Sequence, residues 1–391
     1  MAYRARKSPL RHLIWIVPIL ALDFFIFRWL ALRQGGCSTM SSLPPGDALP
    51  SLVETLPPPP PSVWHGMVPP TAQTNLLNPD EPGVLMPTGS GRLESAKFGS
   101  TRTVKQGKGY AASFHEGVDI APVLRDRNGV ALDKVVTVAD GRVAFINSVS
   151  GNSSYGKYVV VEHADKSLGV ISKRDAKPEP AVVYTLYAHL ADIRFGIRVG
   201  SEIKAGTEIG TMGASSNTQP PIPISRSHLH WEIGLMLNAR YDVLMREQKT
   251  QNLFAAYNGN NLFGFDPLDF VAARANNSNL DMAKYIATVP VAFEAIIRGK
   301  FPDYFRRYPF LWAGPAHDGG AIRIEVSESG AILSGRNADS KELQLLGNKR
   351  QAVARASGDV LGRNGRRLVA LSNGQWDFTE RGKQWLEILL Y

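Results

Sequence analysis

Hydrophobic and polar positions divide the chain into regions of different rhythm. Met1 to His12 carries Arg4, Arg6, Lys7 and Arg11 and no acid, and Leu13 to Leu32 is largely apolar. That length is near the roughly 20 residues a membrane-spanning helix needs, and positive residues before an apolar stretch keep that end in the cytoplasm. Prolines then take over, including Leu56-Pro-Pro-Pro-Pro-Pro61-Ser, which predicts an extended, semi-rigid spacer. Beyond it the period becomes two. In His228-Leu-His-Trp-Glu-Ile233 the polar residues His228, His230 and Glu232 alternate with Leu229, Trp231 and Ile233, the signature of a strand with one polar and one apolar face. The same rule applied to Tyr184–Leu190 groups Tyr187 with His189 and turns Leu186, Ala188 and Leu190 away. His115 and Asp119 share parity too, and Gly117, Val118 and Ile120 favour an extended segment there over a helix. Farther on, Leu280–Ala287 and Val291–Arg298 have helical apolar spacing, whereas Ile322–Val326 and Ala331–Leu333 read as strands.

These rhythms predict five regions: a cytoplasmic basic segment (1–12), a transmembrane anchor or signal (13–32), a Pro-rich linker (33–90), a mainly antiparallel β domain (91–275) and a small α+β domain (276–391). On the linker reading, everything before Pro87 is dispensable for chemistry. Gly35-Gly-Cys37-Ser offers an alternative anchor by lipidation at Cys37, although Gln34 stands where an aliphatic residue is expected. With one cysteine the chain has no internal disulfide, so its core alone must hold it. The net charge is +9. Between Arg336 and Arg367 eight Lys/Arg outnumber three Asp/Glu, which suits an anionic envelope polymer or lipid headgroups. No nucleic-acid motif and no phosphate-binding loop is present, so no nucleic acid is expected as a partner.

Candidate chemistry lies in three short segments, His115-Glu-Gly-Val-Asp119, Tyr187-Ala-His189-Leu and His228-Leu-His230-Trp-Glu232. They hold four of the eight histidines. His-x-Gly-x-Asp, Tyr-x-His-Leu and His-Leu-His-aromatic-Glu together resemble the lysostaphin/LytM-type zinc endopeptidases of bacterial cell walls. The flanks Asp140-Gly-Arg-Val, Tyr155–His163 and Val199–Gly210 are similar to hairpins of that family's β-barrel-like core, and the likeness covers roughly residues 91 to 240. It implies that His115, Asp119 and His230 are ligands of a Zn2+ ion, that His228 is the general base, that His189 stabilises the transition state, and that Tyr187 assists. Three protein ligands suit a catalytic zinc, which keeps a position for water and lowers its pKa.

The chain departs from the family pattern in an insertion, Asp165 to Val183, and in a Pro-rich stretch, Asn217 to Ile224. Both are expected on the rim of the groove. His163 is read as structural, and Glu232 either as a strand-end charge or as support for a ligand. In enzymes that it resembles an upstream segment can occupy the open metal position, and Asn75 or Asn78 could do that here, though nothing in the sequence demands it. The expected protein is a zinc endopeptidase of the bacterial cell envelope, anchored in the inner membrane with its catalytic domain outside the cytoplasm, cutting peptidoglycan peptides. The alternatives are a catalytically silent wall-binding or hydrolase-activating module, and a structural tether.

Overall fold

Strands built on the period of two dominate the protein. The computed structural model describes residues 62–106, 109–171, 177–361 and 364–391. The basic segment 1–12, the stretch 13–32, Cys37 and the first part of the proline-rich region lie outside them. Among the described residues no helix is long and apolar enough to cross a membrane.

A hairpin of β1 (Thr101–Gln106) and β2 (Gly109–Phe114) leads into β3 (Val118–Ile120), β4 (Lys134–Val136), β5 (Gly141–Asn147), β6 (Lys157–Ile171) and β7 (Glu179–Leu190). Short strands β8 (Asp192–Ile193), β9 (Glu202–Ile203) and β10 (Glu208–Thr211) precede β11 (Leu229–Met236) and β12 (Leu262–Phe265). The main sheet runs β12-β11-β7-β6-β5-β9, with β3 pairing the start of β11 on the edge opposite β7, and β4-β10-β8 form a smaller sheet. The pairings are antiparallel, as the alternating pattern predicts.

The long central strands of the main sheet divide their residues between two apolar clusters. Leu229, Trp231, Ile233, Tyr187, Val159 and Val161 join the large core, which the small sheet covers with Val135 and Ile209. On the opposite face Tyr158, Val160, Tyr184, Leu186 and Ala188 pack together, and this is the face that carries His230. The parity expected for β7 therefore fails at its end. Leu186 and Ala188 lie on the site face and Tyr187 in the core. His189 reaches the site because its φ of 60° breaks the alternation, a backbone conformation that a non-glycine residue rarely adopts.

Residues 62–90 are not a linker. Trp64 is fully buried and its indole N–H donates to Asp165 Oδ2 at 2.7 Å. Val136 N–H donates to Pro70 O, Ala121 N–H to Val84 O and Met86 N–H to Asp119 O. This strap is part of the core's surface, and it fastens on to the strand that carries Asp119. Asn75 and Asn78 bond Glu81 and each other within it. The insertion 165–183 is not a groove rim either. It lengthens the β6–β7 hairpin, buries Leu168, and accepts Ala283 N–H on Ser167 Oγ.

Beyond residue 276, Met282–Ile286 is a helix as expected, but Phe293–Arg298 is a strand, β13. It lies between β14 (Ala321–Val326) and β16 (Gln351–Ala356), with β15 (Ile332–Asn337) outside β14. Phe293 to Ile297 are all buried, and a run buried on both faces has no period by which to tell strand from helix. This region shares the large core with the first sheet, and Pro59–Tyr391 is one compact unit. Asn238 Nδ2 donates to Ile388 O at 2.6 Å and Arg307 Nη2 to Met236 O at 2.7 Å. Within the basic run 336–367, Arg336 pairs with Glu342, Arg355 with Glu294 and Arg366 with Glu116.

Candidate metal centre

β3 and β11 bring the first candidate ligand pair together, since their register sets Asp119 directly opposite His230. The turn before β3 supplies His115. That turn runs so close to β11 that a Cβ on Gly117 would lie 2.3 Å from Trp231 O, so the glycine in His-x-Gly-x-Asp lets the loop lie on the strand.

His115 Nε2, Asp119 Oδ1 and His230 Nδ1 then form a triangle with sides of 3.0, 3.0 and 3.1 Å. These three buried residues form a cluster able to hold a metal ion. The far side of each ring fixes its tautomer. His115 Nδ1 lies 2.8 Å from Lys97 O. The nearby Arg102 Nη2 has two hydrogens, which Ser95 O and Asp119 Oδ2 take up, so His115 Nδ1–H donates to Lys97 O and Nε2 turns a lone pair inward. His230 Nε2–H donates to Glu232 Oε1 at 2.9 Å, and Nδ1 faces the triangle. Glu232 is in turn held by the hydroxyl of Tyr184 at 3.0 Å and by that of Tyr155.

Three donor atoms so placed demand a positive charge between them. Without a metal the demand falls on a proton. Burial alone would lower the His230 pKa, but Asp119 and Glu232 outweigh it and raise it to about 9. Burial lowers His115 to about 4. Burial would raise Asp119, yet His115, Arg102 and His228 hold it well below the usual carboxylate range. A tetrahedral zinc with donors about 2 Å away sets them roughly 3.3 Å apart, so the triangle needs to open only slightly. The donor set, two imidazoles and one carboxylate, fits that ion.

His189 and His228 stand beside the triangle, their ring centroids 4.7 Å apart. His228 Nε2 lies 3.6 Å from Asp119 Oδ1. His228 Nδ1 bonds Arg226 O at 2.8 Å and His189 Nδ1 bonds Ser215 O at 2.9 Å. Both carbonyls are acceptors, so each ring keeps its proton on Nδ1 and presents a bare Nε2. The Pro-rich stretch expected on the rim thus runs between the two carbonyls that set these tautomers. Burial lowers the pKa of both histidines.

The structure brings together five of the six expected site residues. The sixth, Tyr187, is buried in the core, where its hydroxyl accepts from Val138 N–H at 2.9 Å and from Thr185 Oγ1 at 3.0 Å. His163 closes that network through Thr185, which makes it structural. Residues not foreseen are Arg102 on Asp119, and Tyr155 and Tyr184 on Glu232. Tyr184 shares parity with Leu186, which lies opposite Glu232. That was a usable signal, whereas nothing in the sequence ties the β1 hairpin to Asp119.

Residues 113–241 match the family model described as peptidase family M23. The matched residues lie within the expected 91–275. Similar solved structures include a zinc-containing peptidase from Vibrio cholerae, at 23% identity over 36% of this chain and 32% of that chain, TM-score 0.24. The catalytic domain of the antimicrobial peptidase lysostaphin from Staphylococcus simulans matches at 18% identity over 45% and 88%, TM-score 0.25. A complex of SpoIIIAH and SpoIIQ matches at 18% identity over 52% and 99%, TM-score 0.28. The chain spans about a third of the length of the Vibrio cholerae protein. No curated protein matches the chain by sequence.

Proposed function

We propose that the chain is a zinc endopeptidase that hydrolyses peptide bonds of peptidoglycan, with His115, Asp119 and His230 as the metal ligands. The observation that carries this reading is the triangle of ligand atoms, no side longer than 3.1 Å, with both rings oriented by acceptors on their far sides. The M23 match over the same residues supports it. Zinc, when bound, supplies a Lewis acid that activates water and polarises a peptide carbonyl.

The chain's own residues handle the protons. Two neutral imidazoles, His228 and His189, each turn an unprotonated Nε2 to one side of the triangle, and a water between them has a proton for each. His228 is nearer the ligands and acts as the general base. It passes the proton to the leaving amine. His189, bare at Nε2 in its resting tautomer, accepts a hydrogen bond from the same water and then from the hydroxyl that this water becomes in the adduct, which holds the transition state. Residues 13–32 anchor the protein in the envelope membrane on this reading, and the M23 domain acts outside the cytoplasm.

Metal content and turnover of the same purified samples test the assignment. The parent should hold about one zinc per chain. His230→Ala should lose metal and activity together. His228→Ala should keep the metal and lose a factor of roughly 10² to 10⁴ in turnover of cross-linked muropeptides. Full zinc occupancy in His230→Ala, or parental turnover in His228→Ala, contradicts the mechanism.

A further inference from the structure

Four consecutive carbonyls just before His228 are held in place. Arg125 Nη1 donates to Ile224 O at 3.2 Å, and its Nη2 to Ser225 O at 3.1 Å and, more loosely, to Ser227 O at 3.5 Å. Ser227 Oγ donates to Ile224 O at 2.7 Å, and Arg226 O accepts from His228 Nδ1–H at 2.8 Å. The turn that carries Arg226 is therefore braced, and it lies two residues from the candidate base.

The Arg226 side chain leaves this turn toward the strap. Its Nε donates to Pro87 O at 3.0 Å, one residue beyond Met86, whose N–H donates to Asp119 O. Nη1 comes beside Gly89, where a Cβ would lie 3.8 Å from it. Asp119 and Arg102 are near enough for their charges to act on the guanidinium. The head group thus stands on the rim of the metal centre, between the turn before His228 and the strap beside Asp119.

The bond from Nε fixes the plane of the guanidinium and leaves its outer edge unused. Among the described residues Arg226 makes no other hydrogen bond and no ion pair. The residue is half-buried, yet neither Nη1 nor Nη2 is sealed from solvent. Asp119 does not neutralise it by contact, because Oδ2 is held by Arg102 and Oδ1 faces the ligand triangle. A cation with no partner beside a metal centre draws anionic groups toward it. Two parallel N–H groups on a fixed plane match a carboxylate bidentately, and a side chain already held by Nε loses little freedom in binding one.

We propose that Arg226 is a specificity-determining residue that takes a free carboxylate of the peptide substrate near the scissile bond. The proposal rests on reading the metal centre as a peptidase. It favours peptides that carry a free carboxylate close to the cleaved bond over a neutral bridge such as oligoglycine.

Calorimetric titration of the full chain carrying His228→Ala, in which bound peptide is not cut, tests it. The probes are cross-linked muropeptides with their carboxylates free and the same peptides with those groups converted to carboxamides. The acid should bind about tenfold tighter, the effect of one charge-assisted contact. Adding Arg226→Gln should bring the acid down to the affinity of the amide, with the amide's affinity and the zinc content unchanged. Arg226→Lys, which keeps the charge and loses the fork, should retain only part of the preference. Equal affinities for acid and amide before Arg226 is changed overturn the proposal. So does a loss in Arg226→Gln shared equally by both peptides, which would mark Arg226 as structural. Inorganic phosphate binding more tightly than the peptide acid overturns the peptide class. Muropeptide turnover, measured separately on the zinc-loaded parent, keeps the two readings apart. Cleavage without an acid preference in the titration sinks only the role of Arg226. Absence of cleavage with zinc bound sinks the peptidase reading, and the titration still decides whether Arg226 takes the carboxylate.

Discussion

On the proposed assignment a proton and a metal ion compete for His230. Its folded pKa of about 9 lies above the ordinary 6.5, so the metal-free protein holds a proton on Nδ1 at neutral pH. His115, lowered to about 4, and the ionised Asp119 have none to give. Zinc binding should therefore release about one proton per ion, measurable by calorimetry in buffers of different ionisation enthalpy. Binding with no proton release contradicts the assignment of Nδ1 as the ligand atom. The sign for stability follows from the raised pKa: in the metal-free protein this group's contribution is fully present below pH 6.5 and is lost as pH rises through about 9. His163 has the opposite sign. Burial lowers it to about 4, so its contribution is intact above pH 6.5 and is lost as pH falls toward 4, by roughly 3 kcal/mol. Denaturant midpoints across that window should fall less steeply for His163→Gln than for the parent. Identical slopes would mean that other groups carry the acid sensitivity. At this scale the sequence was informative where chemistry needs particular side chains, as at His115, Asp119, His189, His228 and His230. It was silent where the partner is a backbone carbonyl, as at Lys97, Ser215 and Arg226, because a carbonyl is the same in every residue. Tyr187 was misplaced because one left-handed residue, His189, upset the alternation used to group them.

Elements were legible where one face is buried and the other is not. β11 shows its two faces in its residues, and its role follows. β13 does not, since all but its last residue are buried. The strap before Pro87 was misread for a different reason. Its prolines and polar residues have the composition of a spacer, and its fastening depends on a few scattered apolar side chains, Trp64, Leu76, Val84 and Leu85, and on backbone hydrogen bonds. Trp64 packs 5.3 Å from Phe270 and 5.1 Å from His163, ring to ring. Trp64→Ala should destabilise the fold by roughly 3–5 kcal/mol, read from chemical denaturation. A chain starting at Pro87 should be less stable still, because it also loses the bonds to β3 and its neighbours. An unchanged midpoint in that shortened chain contradicts the packed-strap account.

The whole molecule joins an M23 domain to a C-terminal region through one continuous core. The loop around Gly365 lies against β2, where a Cβ would meet the Ser113 backbone at 2.5 Å, and Arg366 reaches Glu116 beside the candidate ligand His115. Antiparallel β architecture and a separate C-terminal sheet could both be anticipated from patterning. Their fusion could not, because contacts between distant segments leave no local period. What the molecule does rests on whether this assembly cuts wall peptides with zinc. Mass analysis of fragments released from purified peptidoglycan by the zinc-loaded full chain tests that most directly. The account predicts new peptide amine and carboxylate ends from cleavage at one type of bond, absent with His228→Ala. Intact peptidoglycan after incubation with fully zinc-occupied protein would contradict it.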